Sequence, residues 1–450
     1  MTRQPIINKG FLSSKAKGEF PVYAKADMAR WRNYKFGMFI HYGLYSILGE
    51  GEWVMFNKPI DKDEYALLTQ RFTAERFDAP ALAKLAKQAG MRYMVLTTRH
   101  HDGFCLFDSK FSIDDFTVMR TPAGRDLARE YADACRAEGL GVGFYYSPMD
   151  WRCEGFFFPQ MYHRSALRMR AQCHGQVREL MENYGKIDVL WYDGGEDYWL
   201  AHGKHLNNGS DENFRQNPLI PGFWGEEELN AMARTLQPGI VINNRLGARK
   251  CGDYDTPERV IGAFNTLRPW ETCDALSESW GWQPNTQLRS LQNIIHLLTD
   301  VITGDGNLLL NVSPRPDGSI EPAHAQRLME VGAWLEKYGE AVYGTRGGPV
   351  KNDCGVGGAV WKDNAVYFHI KAPECAAVRL PLPGAESFDG EVSCLTGEKN
   401  PTWRFEGGVL EASLPENRNE IETIVKITLP KPVDTIFCGF DPEGFHAYRK

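Results

Sequence analysis

The stretch Ile187-Asp188-Val189-Leu190-Trp191-Tyr192-Asp193-Gly194-Gly195 constrains this chain more than any other. A run of apolar and β-favouring residues stops on an acid followed by two glycines. Such a run reads as a strand buried on both faces whose last side chain emerges into a loop. The same design recurs. Phe36–Gly43 is a strand that carries His41 at its end. Tyr93–Thr98 leads into Arg99-His100-His101-Asp102, Val142–Ser147 carries Tyr145, and a strand at 240–245 ends on Asn243-Asn244-Arg245. Helical periodicity fills the intervals at 79–90, 125–138, 163–184 and 226–236, with Gly90 and Gly139 as stop signals. An abbreviated strand at 270–273, a helix at 288–302, a strand at 307–312 and a helix at 323–338 follow. Strands alternating with helices imply right-handed βαβ units and a parallel sheet. Seven or so such units over roughly 310 residues suit a (β/α)8-like barrel better than an open sheet. The weak late strands make it an irregular one.

After Tyr343-Gly344-Thr345 the texture changes to short alternating segments at 359–361, 365–370, 377–380, 409–412 and 423–427, separated by turn residues. That pattern predicts a C-terminal antiparallel β-sandwich. The expected organisation is a catalytic barrel over 1–344 and a sandwich over 345–450.

Composition excludes several classes. A net charge of -7 without a basic run argues against nucleic acid and anionic membranes. No apolar stretch reaches membrane-spanning length, and residues 1–5 lack a signal-peptide pattern, so a cytoplasmic protein is the default expectation, with a processed secreted or periplasmic form left open. The ten cysteines form no Cys-x-x-Cys pair and sit in apolar contexts, as small buried residues do. No Gly-x-Gly-x-x-Gly or Walker loop is present. Aromatic residues make up 12% of the chain, a composition that suits clefts in which sugar rings stack on flat side chains.

In a barrel the C-terminal strand ends line one face, where chemistry is done. They gather His41, Arg99, His100, His101, Asp102, Tyr145, Asp193, Asn243, Asn244 and Arg245. Two readings compete for that set. His41, His100 and His101 with a carboxylate could bind zinc in a metal-dependent hydrolase. Adjacent residues of a strand point to opposite faces, however, which counts against His100 and His101 sharing an ion. In the second reading the histidines, Arg and Trp hold sugar hydroxyls while two carboxylates act at a glycosidic bond.

The residues then carry a resemblance. Phe36-Gly37-Met38-Phe39-Ile40-His41-Tyr42-Gly43 and Leu96-Thr97-Thr98-Arg99-His100-His101-Asp102-Gly103-Phe104-Cys105-Leu106 resemble motifs of the α-L-fucosidases of glycoside hydrolase family 29. Trp191-Tyr192-Asp193-Gly194, Trp270-Glu271-Thr272-Cys273, Ser279-Trp280-Gly281-Trp282 and Gly306-Asn307-Leu308-Leu309-Leu310-Asn311-Val312 continue it in order. Tyr42 stands where the family often has Trp.

The resemblance implies a retaining exo-α-L-fucosidase that acts on fucosylated oligosaccharides or glycoconjugates without metal or other cofactor. Asp193 would be the nucleophile. Glu258 would be the acid/base, with Glu271 as its rival. His41, Glu52, Trp53, His100, His101, Tyr145, Trp191 and Arg245 align with fucose-contacting positions, and Trp280 or Trp282 would wall the sugar's methyl group. A sugar-binding protein without catalysis is the cross-class alternative. Subunit number stays open, a homo-oligomer included.

Overall fold

The computed structural model describes residues 26–196, 199–200, 222–247, 251–261, 264–265, 268–350 and 356–437. Residues 1–25, Cys354 and Cys438 lie outside them. Seven parallel strands form one sheet: β1 (Phe36–Ile40), β2 (Tyr93–Arg99), β3 (Gly141–Tyr146), β4 (Val189–Tyr192), β5 (Val241–Ile242), β6 (Glu271–Ala275) and β7 (Asn307–Val312), in the order β5-β4-β3-β2-β1-β7-β6. Between β5 and β6 the segment 254–258 supplies isolated parallel bridges. Asn243 pairs with Tyr254, Asp255 with Trp270, and Glu258 with Cys273. This incomplete stave closes the barrel.

The expected strand at 240–245 shrinks to two residues for a visible reason. The Asn243 side chain takes over the ladder, accepting from the Tyr192 N–H at 2.9 Å and donating to the Tyr192 carbonyl at 2.8 Å. Past Ile242 the backbone is therefore free to turn.

Side chains alternate between two apolar environments. Phe39, Tyr93, Val95, Val189, Trp191 and Leu309 fill the barrel interior, while Met38, Ile40, Met94, Leu96, Leu190 and Tyr192 pack under the helices. This double burial is why the strands are continuously apolar in sequence. The helices Ala79–Gln88, Leu127–Ala137 and Leu291–Thr303 begin on Asp78, Asp126 and Ser290, whose side chains accept free first-turn N–H groups. Gly90 and Gly139 follow the first two of these helices at positive φ, in the left-handed conformation their sequence positions suggested.

Eight further strands form the sandwich. A five-stranded sheet comprises β8 (Arg346–Gly347), β9 (Gly357–Lys362), β10 (Ala365–Ile370), β12 (Glu391–Cys394) and β15 (Thr423–Thr428). A three-stranded sheet comprises β11 (Ala377–Pro381), β13 (Thr402–Glu406) and β14 (Val409–Ser413). Val366, Phe368, Leu380, Leu410, Val425 and Ile427 fill the space between them. The outer face of the larger sheet joins the barrel core through Val360, Tyr367 and Ile424. Buried His369 reinforces this contact, with one ring nitrogen 2.9 Å from Glu422 and the other 3.1 Å from the Ala341 carbonyl. Among the described residues no helix is long and apolar enough to cross a membrane.

The helix Pro322–Tyr338 crosses Ala79–Gln88 so closely that a Cβ at Gly332 would collide with the Gln88 carbonyl oxygen. Backbone cannot yield as a flexible side chain does. Gly332→Ala is therefore expected to destabilise the protein by about 1–3 kcal/mol, measured by denaturant unfolding. Unchanged stability would contradict this packing.

Candidate active site

The strand ends and the loops after them surround a cavity of about 600 Å³. Its lining includes His41, Glu52, Trp53, His100, His101, Tyr145, Trp191, Asp193, Arg245, Glu258 and Trp280. Other expected members lie elsewhere. Arg99 is fully buried beside Asp150 at 2.7 Å and the Met149 carbonyl at 2.6 Å. Asp102 accepts from Tyr65 Oη at 2.8 Å and from the Phe104 N–H at 3.1 Å. Both shape the loop that presents the paired histidines. Trp282 donates to Glu321 at 3.1 Å and does not line the cavity; Trp280 does.

Asp193 leaves β4 with its N–H bonded to the Tyr146 carbonyl at 3.2 Å, so it continues the parallel ladder by one residue. Gly194 then turns at positive φ, and a side chain there would collide with Met149. One carboxylate oxygen of Asp193 meets Arg245 Nη1 at 2.8 Å. The other accepts from Tyr145 Oη at 3.0 Å and lies 3.6 Å from His101 Nε2. Burial would raise this carboxyl, but Arg245 and His101 outweigh it and hold Asp193 below the ordinary carboxylate value. Burial, reinforced by Asp193, pushes the Tyr145 phenol well above its usual value, so it remains a donor.

Arg245 Nη1 also meets Glu258 at 3.0 Å, and the other Glu258 oxygen accepts from Trp280 Nε1 at 3.1 Å. Two carboxylates touching one nitrogen at 2.8 and 3.0 Å are closer at their nearest oxygens than the roughly 6.5–9.5 Å an inverting pair requires. Arg245 is itself fixed. It donates to Thr256 Oγ1 at 3.0 Å and to the Thr256 carbonyl at 2.9 Å, and its guanidinium lies 4.7 Å from the centre of the Trp191 ring.

Hydrogen bonding sets the imidazoles. Asn311 donates its amide to the Trp280 carbonyl at 2.8 Å, so its Oδ1, 2.7 Å from His41 Nδ1, accepts from that nitrogen. His41 thus offers a bare Nε2. His101 Nε2 faces the ionised Asp193 carboxylate at 3.6 Å, which favours the proton on Nε2, so Nδ1 accepts from Ser147 Oγ at 2.7 Å, and Ser147 Oγ in turn accepts from the Met149 N–H at 3.2 Å. Burial lowers His41 to about 3 and His101 to about 4, and holds His100 well below its usual value. All three are therefore neutral at ordinary pH. His100 stacks on Tyr145 at 5.5 Å. Among the described residues no three His, Cys, Asp or Glu side chains are grouped to hold a metal ion.

Glu271 does not line the cavity. It is completely buried inside the barrel at the start of β6, bonded to Tyr93 Oη and to Trp191 Nε1 at 2.9 Å. Burial pushes it up to about 7. Sequence reasoning missed Glu196, which does line the cavity three residues past Asp193. Burial raises it to about 7, with Arg245 opposing and Asp193 reinforcing. Its only sequence signal is its place in the loop after a strand whose end carries an acid.

Neutral imidazoles, indole faces and two carboxylates on one arginine, at the C-terminal mouth of a β/α barrel, define a glycoside hydrolase. The comparisons make this specific. The family described as Alpha-L-fucosidase matches residues 14–340. The chain is 28% identical over 405 residues to the tissue alpha-L-fucosidase of Bos taurus, covering 82% of this chain and 80% of that one. It superposes on alpha-L-fucosidase isoenzyme 1 from Paenibacillus thiaminolyticus with a TM-score of 0.74 at 33% identity, covering 89% and 98% of the two chains. It also superposes, with a TM-score of 0.77 at 26% identity and 89% and 95% coverage, on a Bacteroides thetaiotaomicron GH29 alpha-L-fucosidase trapped as a covalent intermediate with 2-fluoro-fucosyl fluoride. The chain belongs to the alpha-L-fucosidase family.

The interior acid makes a stability prediction. An acid whose pKa is higher in the folded chain than in the unfolded one favours folding fully below the unfolded value, near 4.5 for Glu271. That contribution is lost as pH rises through about 7. Glu271→Gln keeps the shape and removes the titration. Its melting temperature relative to the parent protein should therefore rise between those pH values. A constant difference would mean that Glu271 is ionised inside the barrel.

Proposed function

We propose that the protein is a retaining exo-α-L-fucosidase in which Asp193 is the nucleophile and Glu258 the acid/base. The observation that carries the assignment is the shared Arg245 nitrogen. It holds one carboxylate ionised deep in the cavity and a second within reach at the mouth, where the Glu258 side chain is 44% exposed.

In the first half-reaction an Asp193 oxygen bonds to the anomeric carbon as the glycosidic bond breaks, and Glu258 delivers its proton to the departing oxygen. In the second, Glu258 takes a proton from water, whose oxygen attacks the same carbon and frees Asp193. The depressed pKa of Asp193 keeps it ready to attack. Tyr145 donates to the oxygen not held by Arg245 and restrains its rotation, with His101 Nε2 3.6 Å from the same oxygen. The bare Nε2 of His41 suits an incoming sugar hydroxyl, and the Trp280 and Phe39 faces suit the methyl group of a six-deoxy hexose.

Asp193→Gly is expected to abolish fucoside hydrolysis, and added azide should restore turnover with β-fucosyl azide as product, identified by NMR. Activity without azide would exclude Asp193 as the nucleophile. Glu258→Ala should lower kcat/KM by about 10²–10⁴-fold for poor leaving groups and far less for activated aryl fucosides. If Glu271→Gln showed that leaving-group dependence instead, the acid/base role would pass to the barrel interior.

A further inference from the structure

The cavity is larger than one deoxyhexose fills, and its volume lies in the range of ligands with more than one ring. Its walls differ by depth. His41, His100, His101, Tyr145 and Trp191 form a buried floor, whereas Trp53, Glu196 and Trp199 are partly exposed at the rim. These three lie on the His101 side, since the Trp53 ring is 5.4 Å from His101 and 5.7 Å from Trp199. Trp280 lies on the other side, 5.3 Å from His41, and carries Glu258 with it.

Glu196 is built in firmly. Gly195 continues the β4 stave by pairing with Leu246, its N–H bonding the Arg245 carbonyl at 3.1 Å and its carbonyl accepting from Gly247 at 2.8 Å. The Glu196 carbonyl then accepts from the Trp199 N–H at 3.0 Å. Glu196 Oε2 is buried with no hydrogen-bond partner among the described residues. A buried carboxyl oxygen without a partner is costly unless a ligand supplies one. The mechanism above makes no use of it.

We propose that Glu196, with the indole faces of Trp199 and Trp53, binds the sugar to which fucose is linked and so sets the preference for the leaving group. A ring stacked on the indoles would bring a hydroxyl to the Glu196 carboxyl where it lines the cavity. A buried neutral carboxyl can both donate to and accept from such a hydroxyl. The inference rests on the fucosidase reading and adds a leaving-group site to it.

The test compares kcat/KM of the parent protein, Glu196→Ala and Glu196→Gln on nitrophenyl α-L-fucoside and on fucosyl-galactose and fucosyl-N-acetylglucosamine disaccharides. The loss in Glu196→Ala on at least one disaccharide should exceed its loss on the aryl fucoside by tenfold or more, mainly through KM. Glu196→Gln, which keeps a donor and an acceptor, should fall between. Equal losses on all substrates would place Glu196 against the fucosyl ring or the reacting bond, and no loss would leave it structural; either overturns the proposal while the fucosidase reading stands. A parent protein inactive on every fucoside would overturn both.

Discussion

One guanidinium organises this active site. Arg245 is anchored by Thr256 below and Trp191 beside it, and its Nη1 faces two carboxylates. A charge held in a low-dielectric wall acts more strongly than one in water, because its field is not screened. That field keeps Asp193 ionised against the cost of burial. It also keeps a second acid beside the first without forcing them apart. The barrel exists, in this sense, to hold one arginine where two strand ends and an irregular stave converge.

The histidines contribute shape and direction rather than charge. Their burial makes them neutral, and Asn311 and the Asp193 carboxylate favour opposite tautomers of His41 and His101. One ring offers a lone pair to the cavity and another turns an N–H toward Asp193. A cluster that reads in sequence as a metal-ligand set is, in three dimensions, a set of oriented hydrogen-bonding edges. The buried Arg99–Asp150 pair beneath them supports that orientation.

Much of this was legible in the sequence because β1 to β4 and β7 are buried on both faces and end abruptly on polar residues. Asp193, His41, the histidine pair and Tyr145 follow from that pattern alone. The shortness of β5 was not legible, because replacement of its ladder by the Asn243 side chain leaves no trace in hydrophobic periodicity. Nor was the stave 254–258, where bridges form singly. In the sandwich, β13 escaped because four of its five residues are exposed, so it lacks the alternation that marks a half-buried strand. Glu196 belongs to no motif, and only the pairing of Gly195 with Leu246 brings it to the rim.

The two acids stand on backbones of very different regularity. Asp193 extends a continuous ladder in the middle of the sheet, whereas Glu258 sits on a stave joined to its neighbours by single bridges. Insertions or deletions around the second would disturb few hydrogen bonds, while any change around the first would shift an entire strand. Such a scaffold holds Asp193 rigidly and leaves the backbone that carries Glu258 more open to change. Divergence in this lineage should therefore concentrate on the seam that closes the barrel.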